Sequence, residues 1–225
     1  MHTDLTAGLS KHRLAIIDVQ KSGKVMKLII MTKPTFFVEE DKILATLFDE
    51  GMEVLHLYKP NSSPLYSERL LSLLPEDSYR KIIVHDHFYL KEEYRLAGIH
   101  LDSNNIKCPK GYKGHIGRTC RNLSELKEMK RNSNYVFLAN IFPTEAAPIT
   151  SFTKEELEEA SRQRLIDKKV MALGGVTADN VRQVRDLGFG GAVVCSDLWT
   201  KFDIHNGCDF AELIAHFDKL RKNIG

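Results

Sequence analysis

The feature that most limits the fold is a recurrence. Short, nearly all-apolar runs return along the chain, each bounded by turn residues and most followed by an amphipathic stretch. The runs are 27–32, 54–58, 81–85, 98–101, 114–117, 135–139, 171–173 and 190–194. Continuous apolar runs suit parallel strands covered on both faces. Alternating strand and helix units allow either a doubly wound sheet or a closed barrel. A dinucleotide-binding sheet needs G-x-G-x-x-G after the first strand, and Met31-Thr32-Lys33-Pro34 stands there instead. Eight units favour a single TIM (β/α)8 barrel domain over residues 26–225.

The intervening stretches read as helices. Ile43, Leu44, Leu47 and Phe48 make one buried stripe on a helix over 39–50. Further helices are expected over 66–74, 88–96, from Thr119 or Asn122 through Met129, and over 178–187 behind Thr177 as N-cap. One over 154–167 is capped by Thr153 with Glu156 at the capping-box position. The closing helix, 209–220, turns Leu213, Ile214 and Phe217 inward. Residues 1–25 read as an N-terminal extension without the apolar core of a signal peptide; within it, 14–19 is an extra strand or a docked segment.

Composition excludes some functions. A formal net charge of +2 argues against a nucleic-acid binder or a membrane-surface protein. No run nears the roughly 18 apolar residues of a membrane span. Cys108, Cys120, Cys195 and Cys208 have no metal-type spacing and read as reduced thiols of a cytoplasmic protein.

In a TIM barrel the chemistry sits at the C-terminal ends of the strands. Those ends carry His56, Tyr58 and Lys59; His85, Asp86 and His87; Asp102 to Asn105; Arg118 and Thr119; Asn140 and Thr144; Gly174 and Gly175; and Cys195 and Ser196. The loops after the last two strands, with their glycines and Ser196, form a natural phosphate cradle of backbone N–H groups. His85-x-His87 invites a transition-metal reading, but too few partner ligands follow it, and histidines holding hydrogen bonds are the plainer reading. Asp86 with one or two further oxygens suits Mg²⁺, which keeps most of its waters and bridges phosphates.

In this order, Gly98-Ile99-His100-Leu101, Tyr135-Val136-Phe137-Leu138, Ile141-Phe142-Pro143-Thr144, Ala172-Leu173-Gly174-Gly175-Val176-Thr177 and Gly191-Ala192-Val193-Val194-Cys195-Ser196 resemble the thiamine phosphate synthase family and its sister thiazole tautomerases. The resemblance implies an Mg²⁺-dependent transferase that joins an aminopyrimidine methyl diphosphate to a thiazole phosphate and releases pyrophosphate. It implies catalytic roles for Lys59, Asp86 and Thr119. Substrate contacts fall to His56, Tyr58, His85, Arg118, Thr144, Gly174, Gly175, Cys195 and Ser196, and metal binding to Asp86 and Asn105, with Asp102 as a substitute. Partners are small phosphorylated substrates, and a homo-oligomer is compatible with the family. The match is uneven. Where the family carries a diphosphate-reading Arg this chain has Tyr58, and where it has Thr-x-Thr-Lys this chain has Thr144-Glu145-Ala146-Ala147. Lys59, Arg118 and His87 are the candidates to replace the lost cations. A tautomerase, whose catalytic histidine would fall near Asn140, and a non-catalytic binder of thiazole phosphate or thiamine phosphate are the alternatives.

Overall fold

The computed structural model describes residues 26–145, 147–202 and 210–225. The leader 1–25, with its expected segment 14–19, lies outside the described residues. The eight apolar runs form β1 (Lys27–Met31), β2 (Leu55–Leu57), β3 (Ile82–Val84), β4 (Gly98–Leu101), β5 (His115–Cys120), β6 (Tyr135–Ala139), β7 (Val170–Leu173) and β8 (Gly191–Val194). They close in sequence order into a barrel. Every neighbouring pair is parallel, with β8 returning to β1 through Lys27↔Gly191 to Ile30↔Val194.

The helices are α1 (Glu40–Asp49), α2 (Pro64–Leu73), α3 (Leu90–Glu93), α4 (Leu123–Arg131), α5 (Lys154–Arg162), α6 (Val181–Asp186), α7 (Ser196–Trp199) and α8 (Ala211–Ile224). No helix joins β4 to β5. The α1 stripe is buried as expected, and Thr153 with Glu156 closes a reciprocal capping box on α5. Some boundaries differ. The helix α5 stops at Arg162, and Arg164 then takes a left-handed φ of 57° that no α-helix continues. Thr177 caps a turn ahead of α6, its hydroxyl accepting from the N–H groups of Asp179 and Asn180. Ile214 is only half-buried, while Leu213 and Phe217 are buried. No helix among the described residues is long and apolar enough to cross a membrane.

Side chains on a strand alternate between faces, and this alternation divides the core. Outward residues, including Ile30, Leu55, Leu57, Ile82, Val84, Ile99, Leu101, Val136, Leu138, Ala172 and Val194, pack under the helices. Inward residues form a smaller cluster of Ile29, Met31, Ile83, Tyr135, Phe137, Met171 and Val193. His56 and His100, both fully buried, occupy inward positions on β2 and β4. Their rings lie against Phe137, at 4.7 and 4.4 Å between centroids. Gly117 leaves the space they use. A Cβ there would stand 2.1 Å from Tyr135 Cζ and 2.5 Å from His100 Nδ1.

Outside the barrel, Lys59 follows β2 and is buried. Its Nζ donates to both carboxylate oxygens of Glu40, at 2.6 and 2.8 Å, and to the Thr35 carbonyl at 2.9 Å. The ion pair ties the β1–α1 loop to β2. Burial lifts the Glu40 carboxyl and lowers the Lys59 ammonium, opposing their mutual attraction. Both shifts move toward the neutral form, so at neutral pH ionising the pair costs stability.

Two outcomes follow for stability. Gly117→Ala should lose roughly 1–3 kcal/mol in urea unfolding through overpacking, and a loss under about 0.5 kcal/mol would contradict the crowding. Glu40→Leu or Lys59→Met alone should each lose about 3–5 kcal/mol, whereas the double variant should recover most of it. A double variant as unstable as the sum of the two singles would contradict this account of the pair.

Candidate active site

Strand parity decides which rim residues face the barrel mouth. His56, His100 and Thr119 are inward, and they meet: His100 Nε2 lies 2.8 Å from Thr119 Oγ1, and His56 Nδ1 lies 2.9 Å from His85 Nε2. His85 Nδ1 is 3.1 Å from Asp102 Oδ2. Burial holds His56 and His100 well below the usual histidine range, so both stay neutral and act as hydrogen-bonding groups. Tyr58 is half-exposed above them, its ring 5.3 Å from that of His85. Burial, then the Asp102 charge, raises its phenol above the ordinary range, which leaves it a protonated donor. His87 stands apart, with Nε2 3.0 Å from the Ser62 carbonyl.

Asp86, next to His85 in the chain, supplies a second carboxylate beside this group. Its Oδ2 accepts from the Lys59 N–H at 3.2 Å and its Oδ1 from Asn105 Nδ2 at 2.9 Å. Asn105 Nδ2 also donates to the His85 carbonyl at 2.9 Å. The Asn105 amide therefore positions the carboxylate through its nitrogen. Each Asp86 oxygen keeps a second lone pair, so Asp86 fits a hard cation that retains waters and meets substrate phosphate. Asp102 is less available, because His85 and the N–H groups of Asn104 and Asn105 already occupy it.

Across the mouth, the loops after β6, β7 and β8 line a cavity of about 470 Å³ that includes Thr144, Gly174, Gly175, Val176, Cys195 and Ser196. Within the described residues, the N–H groups of Gly175, Val176 and Cys195 meet no acceptor, which is what an anion cradle needs. Gly174 and Gly175 have φ of 99° and 64°. Their missing Cβ atoms also let the turn press on the β6 loop, since a Cβ on Gly175 would stand 2.7 Å from the Pro143 carbonyl. The Thr144 hydroxyl accepts from the Ala147 N–H at 2.9 Å and so shapes that loop. Burial pushes the Cys195 thiol up to about 11, against the pull of Lys33 and Lys59. The thiol is therefore uncharged beside the cradle.

The cations expected to face the substrates are placed differently. Lys59 points away from the mouth into its pair with Glu40. Arg118 alternates outward with Ile116 and Cys120, into a cleft of about 250 Å³ walled by Leu101, Ile106 and Met129. Its buried Nε has no partner among the described residues. Sequence reading passed over Lys33. It follows Met31 by two residues, in phase with Ile29, and lies near enough to Cys195 to pull on the thiol as Lys59 does. It sets its Nζ 5.2 Å from the Phe37 ring centroid, and has no ion pair among the described residues. Counting by two from β1 would have found it.

Comparison with known proteins agrees with this arrangement. A family model described as thiamine monophosphate synthase matches residues 46–198. The solved thiamine phosphate pyrophosphorylase from Bacteroides thetaiotaomicron is 49% identical, with a TM-score of 0.80 over 88% of this chain and 97% of that one. The thiamine-phosphate synthase of Shouchella clausii is 24% identical over 197 residues, covering 80% of this chain and 92% of its relative. That of Methanobrevibacter smithii is 25% identical over 171 residues, covering 70% and 81%. With the barrel, the glycine cradle and the matched residues in agreement, this chain belongs to the thiamine monophosphate synthase family.

Proposed function

We propose that the protein condenses an aminopyrimidine methyl diphosphate with a thiazole phosphate, releasing pyrophosphate and forming thiamine phosphate. The observation that carries this reading is the cradle of open N–H groups at Gly175, Val176 and Cys195, set across one barrel mouth from Asp86. The cradle takes the thiazole phosphate, and the neutral Cys195 thiol adds no repulsion. Asp86 would hold Mg²⁺, whose charge offsets that gathering on the departing diphosphate. Asn105 keeps the Asp86 carboxylate turned to that task. Lys33 is the mouth's cation for phosphate oxygens, since Lys59 is neutralised by Glu40. His56, Tyr58 and Thr119 line the pyrimidine half, where uncharged polar groups can orient a heteroaromatic ring.

The tautomerase alternative is weaker, because the resemblance puts its acid/base histidine near Asn140 and residues 138–142 contain no histidine. A non-catalytic binder would be stabilised thermally by thiazole phosphate without turning over.

Incubation with both phosphorylated substrates and Mg²⁺ should yield thiamine phosphate and pyrophosphate in equal amounts. Absence of product over hours, with thiazole phosphate still bound, would replace the synthase reading with the binder. Asp86→Ala should lower kcat/KM by about 10²-fold or more, as loss of one charge-stabilising group does. Lys33→Ala should raise KM for a phosphorylated substrate by roughly tenfold, a single charge-assisted hydrogen bond. Unchanged kinetics in both variants would contradict the assignment.

A further inference from the structure

Six side chains form one unbranched run of hydrogen bonds through the barrel. Asp102 Oδ2 lies 3.1 Å from His85 Nδ1, and His85 Nε2 lies 2.9 Å from His56 Nδ1. His56 Nε2 is 3.4 Å from the Tyr135 hydroxyl, which is 3.1 Å from His100 Nδ1. His100 Nε2 ends the run on Thr119 Oγ1 at 2.8 Å. The ligand nitrogens of the three histidines lie within 4.8 Å of one another, close enough to suggest a metal. Yet the rings of His85 and His100 stack at 4.4 Å with only 20° between planes. Rings so nearly parallel do not share an ion in both planes, so the cluster is held by protons.

With each ring neutral, the order of those protons is set from one end. Asp102 is an acceptor. Its Oδ1 accepts from the N–H groups of Asn104 and Asn105 at 2.8 and 3.2 Å, and a carboxylate offers His85 only acceptor oxygens. A neutral imidazole has one N–H and one acceptor nitrogen. His85 must therefore donate from Nδ1 to Asp102 and accept at Nε2. His56 then donates from Nδ1 and accepts at Nε2 from the Tyr135 hydroxyl. Tyr135 must accept from His100 Nδ1, and His100 Nε2 must accept the one proton of Thr119. Burial of His56 and His100 excludes the second proton that would break this order.

We infer that Asp102 fixes the hydrogen-bond polarity of Thr119 through this run, so that Thr119 meets its ligand only as an acceptor and selects a ligand that offers an N–H. Resting on the proposed synthase reading, that group is the exocyclic amino of the aminopyrimidine. Asp102 and the three histidines are positioning residues, acting through Thr119.

Asp102→Asn tests it. The backbone N–H groups of Asn104 and Asn105 both reach Oδ1, at 2.8 and 3.2 Å, so the amide nitrogen falls at the Oδ2 position facing His85. A donor there reverses every member of the run, and Thr119 becomes a donor. Nitrogen-15 NMR of the histidine rings reads this without substrate. The wild type should show Nδ1–H tautomers at His56, His85 and His100, and Asp102→Asn should show Nε2–H at all three. Adding Tyr135→Phe should stop the reversal at His56. A wild-type His100 protonated at Nε2, a tautomer at His100 that ignores residue 102, or stoichiometric Zn²⁺ binding by the three rings would overturn the inference. If Asp102→Asn does not fold, the wild-type tautomers alone still decide it. In titrations, the wild type should bind the aminopyrimidine methyl diphosphate roughly tenfold or more tighter than its methoxy analogue, which lacks the N–H. Asp102→Asn should abolish or invert that preference. A preference unchanged by Asp102→Asn overturns the inference. A wild type that binds neither pyrimidine removes the synthase reading and the ligand half of the inference, while the tautomers still decide the polarity.

Discussion

Closing eight parallel strands into a barrel leaves an interior that only alternate residues can fill, and the identity of those residues governs the rest of this molecule. Most TIM barrels fill that space with branched aliphatic side chains. Here β2 and β4 contribute His56 and His100, both fully buried, and β6 contributes Tyr135 and Phe137. Buried polar groups cost free energy unless each finds a partner. The histidines satisfy that demand by bonding to one another, to Tyr135 and to the rim residues Asp102 and Thr119. The interior is thus packed and ordered by the same contacts, and the order reaches the mouth.

The same alternation separates groups that follow each other in sequence. Tyr58 faces the mouth, while Lys59 next to it sits outside the barrel with Glu40. Thr119 faces the interior histidines, while Arg118 beside it lies outside against Leu101, Ile106 and Met129. A charge count at the strand ends overstates the positive potential of the mouth, because two of its cations are directed elsewhere. What remains at the mouth is a set of neutral imidazoles and hydroxyls and a cradle of N–H groups, with Lys33 close to Cys195. This division suits a reaction with one substrate held by its phosphate and another oriented by a neutral ring.

The architecture was readable from sequence because each strand is a near-continuous apolar run, and β4 and β6 have the expected limits. The stripe of α1 and the capping box of α5 were equally plain. Boundaries were less so. The left-handed Arg164 that ends α5 early has no residue signature, and β5 runs on to Cys120 because its pairing with β6 sustains polar residues that look like loop. The site was half readable. Gly174 and Gly175 announced a tight turn, and Asp86 a carboxylate at the rim. Proximity in sequence, however, stood in for direction, so Lys59 and Arg118 were grouped with the mouth and Lys33 was passed over. The link from Asp102 to Thr119 joins residues on five strands or their ends, and only the closed barrel brings them together.

The most direct test of the account is a crystal structure with thiazole phosphate and pyrophosphate bound in the presence of Mg²⁺. The account places the thiazole phosphate on the N–H groups of Gly175, Val176 and Cys195, and pyrophosphate with its metal on Asp86. A phosphate seated in the outer cleft beside Arg118, or pyrophosphate bound without contact to Asp86, would contradict it.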